Sequence, residues 1–187
     1  MSLIESVYAE TKDRMSKTVE NFKKELSRIR TGRASPSLLE GITVEYYGSP
    51  MPVNQVATIT IPEARLILVQ PWEKNMLGPI EKAIQASDLG LNPQNDGNLI
   101  RLPIPSLTEE RRKDLYKTCK KSSEDSKIAI RNIRRDSNDK LKKAEKEKEI
   151  TRDEHKKSLD EIQKLTDTFI KTIDEHLGIK EKEIMQE

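Results

Sequence analysis

Six arginines carry the chemistry that this sequence offers most plainly. Arg131, Arg134 and Arg135 fall in one charged run with Lys127, Asn138 and Lys142, and Arg28, Arg30 and Arg33 form an earlier group. A guanidinium is planar and permanently charged, and its fork of donors matches phosphate oxygens while its face stacks on bases. Several of them at the few-ångström spacings of one helix face suit a folded RNA backbone. The competing reading is a solvated face that pairs internally with Glu124, Asp136 and Asp139, because charged helix faces are common.

Positioning these groups requires a long helix. From Ser106 to Ile150, at about 100° per residue, Leu115, Cys119, Ser122, Ser126, Ile130, Ile133, Ser137, Leu141 and Ala144 share one face and form a packing seam. The arginine stripe is centred roughly 130° from that seam, so it cannot be buried with it. Arg134 lies nearest the seam's edge, where its stem can pack on protein while the guanidinium faces out. Arg28, Arg30 and Arg33, at the end of the first helix, are expected to approach Arg111 and Arg112 at the start of this one. Like charges placed together destabilise, and a partner would explain them.

Two further helices complete a bundle. Ser2 and Glu5 have capping-box spacing, and Ile4, Tyr8, Thr11, Met15, Thr18, Phe22, Leu26 and Ile29 follow at helical intervals to about Arg30. Gly32 can stop that helix in a left-handed conformation, and Ser35-Pro36 opposes its continuation. Thr151 and Glu154 repeat the capping box before Leu159, Ile162, Leu165, Thr166, Phe169, Ile173, Leu177 and Ile184. The third helix is therefore expected to fold back on the central one, with its turn in the charged stretch from Lys142 to Lys157. Helix one spans roughly 40 Å and helix two roughly 65 Å, so one end of the hairpin stays uncovered. That end is expected to be the charged tip.

Between the first two helices the composition changes. Most glycines and prolines lie between Ser35 and Pro105, where Ile42 to Tyr47, Val56 to Ile61, Leu66 to Gln70 and Leu99 to Leu102 read as strands. Gly48-Ser49-Pro50 and Asp96-Gly97 read as turns, and Met76 to Ser87 as a short helix stopped by Gly90. Trp72, the lone tryptophan, reads as packing against that helix rather than as a partner-facing anchor. The fold class is α+β: a discontinuous antiparallel three-helix bundle, residues 1–30 and 106–187, with a small mixed α/β domain, residues 31–105, inserted in it. The crossings, Thr31, Gly32, Arg33 and Ala34 on one strand and Pro103, Ile104 and Pro105 on the other, read as a hinge.

No constellation for catalysis accompanies the arginines. His155 and His176 are the only histidines and have no metal-ligand spacing around them, and no Gly-rich phosphate loop or Gly-x-Ser-x-Gly elbow occurs. Cys119 lies on the seam as a small buried apolar residue. In 187 residues, 35% are charged and 34% hydrophobic, so any core is narrow; 34 basic side chains nearly balance 32 acidic ones, so binding of nucleic acid requires local concentration of charge. With no leader pattern at Met1 to Glu10 and no apolar run that spans a bilayer, the chain reads as soluble and cytoplasmic; it is expected to be a binding protein and a monomer that engages neither DNA nor membrane, with no cofactor or metal and no enzymatic activity, and the arginine pattern leaves RNA binding and a solvated face both open.

Several stretches, taken in order, resemble the bacterial ribosome recycling factor family: residues 28–36 (Arg-Ile-Arg-Thr-Gly-Arg-Ala-Ser-Pro), 45–48 (Glu-Tyr-Tyr-Gly), 86–93 (Ala-Ser-Asp-Leu-Gly-Leu-Asn-Pro), 107–112 (Leu-Thr-Glu-Glu-Arg-Arg) and 131–136 (Arg-Asn-Ile-Arg-Arg-Asp). The resemblance implies an L-shaped, tRNA-like molecule that enters the ribosome after peptide release. It implies splitting of the subunits together with elongation factor G, which hydrolyses the GTP, so that mRNA and deacylated tRNA leave. It places Arg30, Arg33, Arg131 and Arg134 at positions that contact large-subunit rRNA, and it has the inserted domain swing about the hinge. Ser137 stands where alanine is common in the family, a small-for-small change. The alternative from another class is a helical adaptor or chaperone that grips protein clients with its charged hairpin.

Overall fold

The computed structural model describes residues 2–185. Helix α1 (Leu3–Arg28) begins at Ser2, whose hydroxyl accepts from the Glu5 backbone while the Glu5 carboxylate accepts from the Ser2 backbone. The inserted unit contains strands β1 (Thr43–Tyr46), β2 (Ser49–Pro52), β3 (Ala57–Glu63) and β4 (Leu66–Pro71), helix α2 (Leu77–Ala86), and strands β5 (Gln94–Asn95) and β6 (Ile100–Pro103). Helices α3 (Glu109–Lys146) and α4 (Arg152–Met185) follow. Two compact units result, one of residues up to Thr31 and from Glu109, the other Gly32–Thr108. The architecture is α+β.

In the helical unit α1 and α4 both pack on α3. Met15, Val19, Phe22 and Leu26 from α1 meet Cys119, Ile130 and Ile133 from α3 and Leu165, Ile173 and Ile184 from α4. The seam differs in detail from the sequence reading. Ser123, fully buried, occupies the core position expected of Ser122, whose hydroxyl instead donates to Glu25 at the rim. On α1, Val7 and Val19 face inward and Tyr8 is exposed. Tyr8 shares the stripe's spacing, but a ring with a hydroxyl sits comfortably at the rim, whereas valine gains nothing there. Cys119 is fully buried, and burial raises its thiol pKa, as suits a packing residue.

A second cluster overturns the expectation that the hairpin tip is uncovered. Val7, Leu141, Ala144, Ile150 and Ile162 are buried together, with Ile4 and Leu159 against them. Along the antiparallel α1–α3 pair, Lys140 binds Glu10 at 2.7 Å, Arg14 binds Asp136 at 2.9 Å, and the Thr11 and Ser137 hydroxyls meet at 2.6 Å. This register sets the start of α1 beside the tip. Ile4 and Val7 find their apolar partners there, beside Ile150. The uncovered tip on which the adaptor reading rests is absent.

The turn between α3 and α4 closes by a Schellman motif: the Lys148 N–H donates to Glu145 O at 3.0 Å and the Glu149 N–H to Ala144 O at 2.9 Å. Thr151 and Glu154 then form the expected capping box of α4. The left-handed position is held by Lys148, at φ +60°, where glycine is usual.

In the inserted unit the four-stranded antiparallel sheet has the order β3-β4-β6-β5, and β1-β2 is a separate hairpin. Ile67 and Val69 of β4 alternate inward with Ile100 and Leu102 of β6, and α2 covers them with Leu77, Ile80 and Ile84. Each such fully buried aliphatic side chain contributes about 1.5–3 kcal/mol, which makes this layer the unit's stability. Strands β2 and β5 escape the sequence reading. The former contains Pro50 and Pro52 and is tolerated as a strand only because it pairs with β1 alone; the latter is two residues long. The turn expected at Gly48-Ser49-Pro50 is one position earlier, at Tyr47-Gly48. Trp72 does not pack against α2: it is 65% exposed, and its indole N–H donates to Thr58 Oγ1 at 2.9 Å.

Replacing Lys148 by glycine relieves the left-handed strain without removing a core contact. Lys148→Gly is expected to raise the unfolding free energy by about 0.5–1 kcal/mol, measured by urea denaturation; a destabilised variant would mean that the lysine stem matters to the turn.

Candidate nucleic-acid interface

The arginines of α3 are held out by the same packing that buries its seam. Ile130, Ile133 and Ser137 point inward, which turns Arg131 and Arg135 to solvent and sets Arg134 half-buried at the edge. The Arg134 guanidinium donates to Gln163 Oε1 of α4 at 3.0 Å, a neutral partner that fixes its direction and leaves its charge uncompensated. Arg131 and Arg135, and likewise Arg28 and Arg30, make no side-chain hydrogen bond or ion pair among the described residues. All four are exposed.

The anticipated internal pairing is largely absent from these arginines. Asp136 is taken by Arg14 of α1, and Glu124 pairs with Lys127. Lys127 leaves the stripe altogether: only 13% of its side chain is exposed, and it binds Asp174 of α4 at 2.5 Å and Glu124 at 3.3 Å. The hydrogen bond to Asp174 is the main reason that its pKa is raised. Periodicity alone could not find this, because the deciding carboxylate comes from another helix. The half-buried Asn138 presents a buried Oδ1 without a partner among the described residues, and Lys142 stays exposed.

The second group divides. Ile29 and Leu115 join one apolar cluster, so Arg28 and Arg30 border the segment of α3 that opens with Arg111 and Arg112. Both of those arginines are engaged in interactions of their own. Arg33 belongs to the other unit, is exposed and is likewise engaged.

Charge separates along the same boundary. The unit Gly32–Thr108 has seven carboxylates against five lysines and arginines, a formal −2; the helical unit has 25 against 29, a formal +4. The modest overall charge thus conceals a cationic helical unit, which suits a phosphate backbone. Among the described residues no group of three or more His, Cys, Asp or Glu side chains is placed to hold a metal ion, and no helix is long and apolar enough to cross a membrane.

The family model described as Ribosome recycling factor matches residues 22–185. This chain belongs to the ribosome recycling factor family. The ribosome-recycling factor of Syntrophomonas wolfei is 56% identical over 184 residues, covering 98% of this chain and all of that one, and that of Bacillus licheniformis is 57% identical over 180 residues, 96% and 97% of the two chains. Among solved structures, a solution structure of the ribosome recycling factor is 42% identical over the whole of both chains, with a TM-score of 0.77. A model of the T. thermophilus ribosome recycling factor with E. coli elongation factor G, bound to the E. coli post-termination complex, is 49% identical over 99% of this chain and 100% of that chain, with a TM-score of 0.64.

The crossings carry their own geometry within the inserted unit. The Ala34 N–H donates to Ala64 O at 2.7 Å and the Ile104 N–H to Arg65 O at 2.8 Å, and Pro103 pairs with Leu66 in the sheet. Those three positions are tied into the body of the unit. Gly32 has φ +75°, and a Cβ there would lie 3.0 Å from Leu107 Cγ.

The contrast between Lys127 and the arginines is directly testable. Lys127→Ala strands Glu124 and Asp174 and is expected to lower stability by about 1 kcal/mol. Arg131→Ala is expected to change it by less than about 0.5 kcal/mol. Equal losses in urea denaturation would show that Arg131 is structural.

Proposed function

We propose that this protein binds the ribosome after termination and, with elongation factor G, splits the post-termination complex into subunits, releasing mRNA and deacylated tRNA. Family membership over nearly the whole chain, shared with a relative described as bound to such a complex beside elongation factor G, is the observation that carries this reading. GTP is hydrolysed by elongation factor G; this chain acts by binding and transmitting force, as a cytoplasmic monomer without a cofactor.

The RNA contacts are made by Arg131, Arg134 and Arg135 on α3 and Arg28 and Arg30 at the end of α1, all in the helical unit, together with Arg33 at the start of the inserted unit. The uncompensated charge of the α3 arginines supports this role, because an arginine already paired with a carboxylate must surrender that partner to bind phosphate. Arg134 is the best placed of them. Its stem is packed and its head oriented by Gln163, so little conformational entropy remains to be lost on binding.

Residues 31–105 then act as the mobile domain. Ala34, Pro103 and Ile104 are hydrogen-bonded or paired inside that unit, which favours bending at Thr31, Gly32 and Arg33 on one crossing and just beyond Pro105 on the other. A stiff bundle seated on RNA converts a push on the mobile domain into work against the subunit interface. A flexible one would dissipate it.

Arg134→Ala is expected to weaken binding to purified ribosomes about tenfold, the loss of one charge-assisted contact, and to make the salt dependence of binding shallower by about one phosphate, with the unfolding transition unchanged. Retained affinity with a lowered unfolding midpoint would make Arg134 structural. Gly32→Ala forces a side chain into a left-handed position against Leu107, a strain of about 1–2 kcal/mol. It is expected to slow subunit splitting, followed by light scattering with elongation factor G and GTP, far more than it weakens binding; equal losses in both would sink the hinge.

A further inference from the structure

The inserted unit carries an exposed aromatic cluster that plays no part in the arginine surface. Strands β1 and β2 are joined by Tyr47-Gly48, with φ of +47° and +80°. Such two-residue turns are usually filled by Asn-Gly or Gly-Gly, because other side chains are strained in the left-handed region. Here the first position is a tyrosine, 78% exposed. Strain retained at an exposed position points to a use for the side chain.

The cluster is held rigidly from beneath. The Tyr47 hydroxyl donates to Glu73 Oε2 at 3.0 Å and the Tyr46 hydroxyl to Glu73 Oε1 at 2.7 Å, while the two rings meet edge to face with centroids 4.6 Å apart. The hydrogen bond to Glu73 raises the pKa of the Tyr46 phenol, which keeps it a donor. Trp72, next in sequence to Glu73 and 65% exposed, is anchored by its indole N–H on Thr58 Oγ1. The polar ends of Tyr47 and Trp72 are thus satisfied within the unit, and their rings remain bare to solvent. Rigid Tyr and Trp side chains of this kind offer contact area at low entropic cost and dominate protein interfaces.

Charge selects the occupant. Both Tyr hydroxyls converge on one carboxylate, the exposed Glu45 precedes them, and the unit as a whole is acidic. We propose that the Tyr47 ring and the Glu73 carboxylate that holds its hydroxyl form a docking surface for a basic protein segment, seating an arginine or lysine against the ring with its charge beside Glu73. The ring face attracts a cation through its quadrupole, and the carboxylate adds to that attraction. A nucleic-acid strand would also stack on aromatic rings, but its phosphates would then face Glu73 and an acidic unit.

Titration of the full chain into a fluorescein-labelled alternating arginine-glycine decapeptide is expected to raise the anisotropy of the label saturably. The apparent affinity is expected to fall fivefold or more in Tyr47→Gly and in Glu73→Gln, and to stay unchanged in Glu81→Gln. Tyr47→Gly relieves the turn's strain, so the fold is retained, which a thermal melt verifies. No rise in anisotropy, an equal response with labelled decauridylate, or affinities unaltered in both variants would overturn the proposal. A photo-crosslinker at position 47, on purified post-termination ribosomes with elongation factor G, is expected to attach to protein at an Arg- or Lys-bearing segment. Attachment to RNA, or none from ribosome-bound protein, would also overturn it. A chain that fails to bind ribosomes would refute the recycling reading, and the peptide titration would still decide this one.

Discussion

The register between α1 and α3 is the constraint on which the helical unit depends. Thr11 and Ser137 are both buried, and their hydroxyls meet each other while each also reaches a backbone carbonyl of its own helix, Val7 O at 2.6 Å and Ile133 O at 3.0 Å. Each hydroxyl can give its proton to its own helix, so two polar side chains are buried at the α1–α3 contact without an unsatisfied donor, and the close approach of these two small residues marks the register. Arg14–Asp136 and Lys140–Glu10 fix the same register at the rim. The cover over the hairpin tip follows from this register, because it sets Ile4 and Val7 beside Ile150.

Packing of α4 on α3 divides charged groups that look alike in sequence. Lys127 and Arg131 are four residues apart and on one stripe, yet Asp174 of α4 consumes Lys127, whereas Arg131 meets no carboxylate. A surface that keeps its arginines uncompensated gives up internal ion pairs, but exposed pairs are worth little to stability. A binding face can therefore stay cationic at small expense. The acidic inserted unit and the cationic helical unit accordingly suit different partners, and the division coincides with the boundary between the two compact units.

Strain is concentrated at few places. Lys148 and Tyr47 are the non-glycine residues at positive φ among those described. The first closes a Schellman turn next to a buried Ile150, where geometry forces the conformation. The second sits on an open hairpin, where glycine or asparagine would serve the backbone better and only the side chain gives a reason for tyrosine.

Most element types and their order are legible in the amino-acid sequence, strands β2 and β5 excepted. Capping boxes at Ser2 and Thr151, apolar residues three and four apart along three helices, and β-branched runs between Gly and Pro carry that information locally, so periodicity reads it directly. The arginine stripe was legible for the same reason. Tertiary structure decided what depends on residues distant in the chain. Whether α1 covers the tip rests on Ile4 and Val7 finding Ile150; whether Lys127 is available rests on Asp174; that Ser122 sits at the rim while Ser123 is buried rests on Glu25 of α1, which takes the Ser122 hydroxyl. Strand β2, with its two prolines, and the exposed Trp72 were misread because local composition argues against a strand and for a buried indole. Only the open edge beside β1 and the Thr58 hydroxyl reverse those arguments.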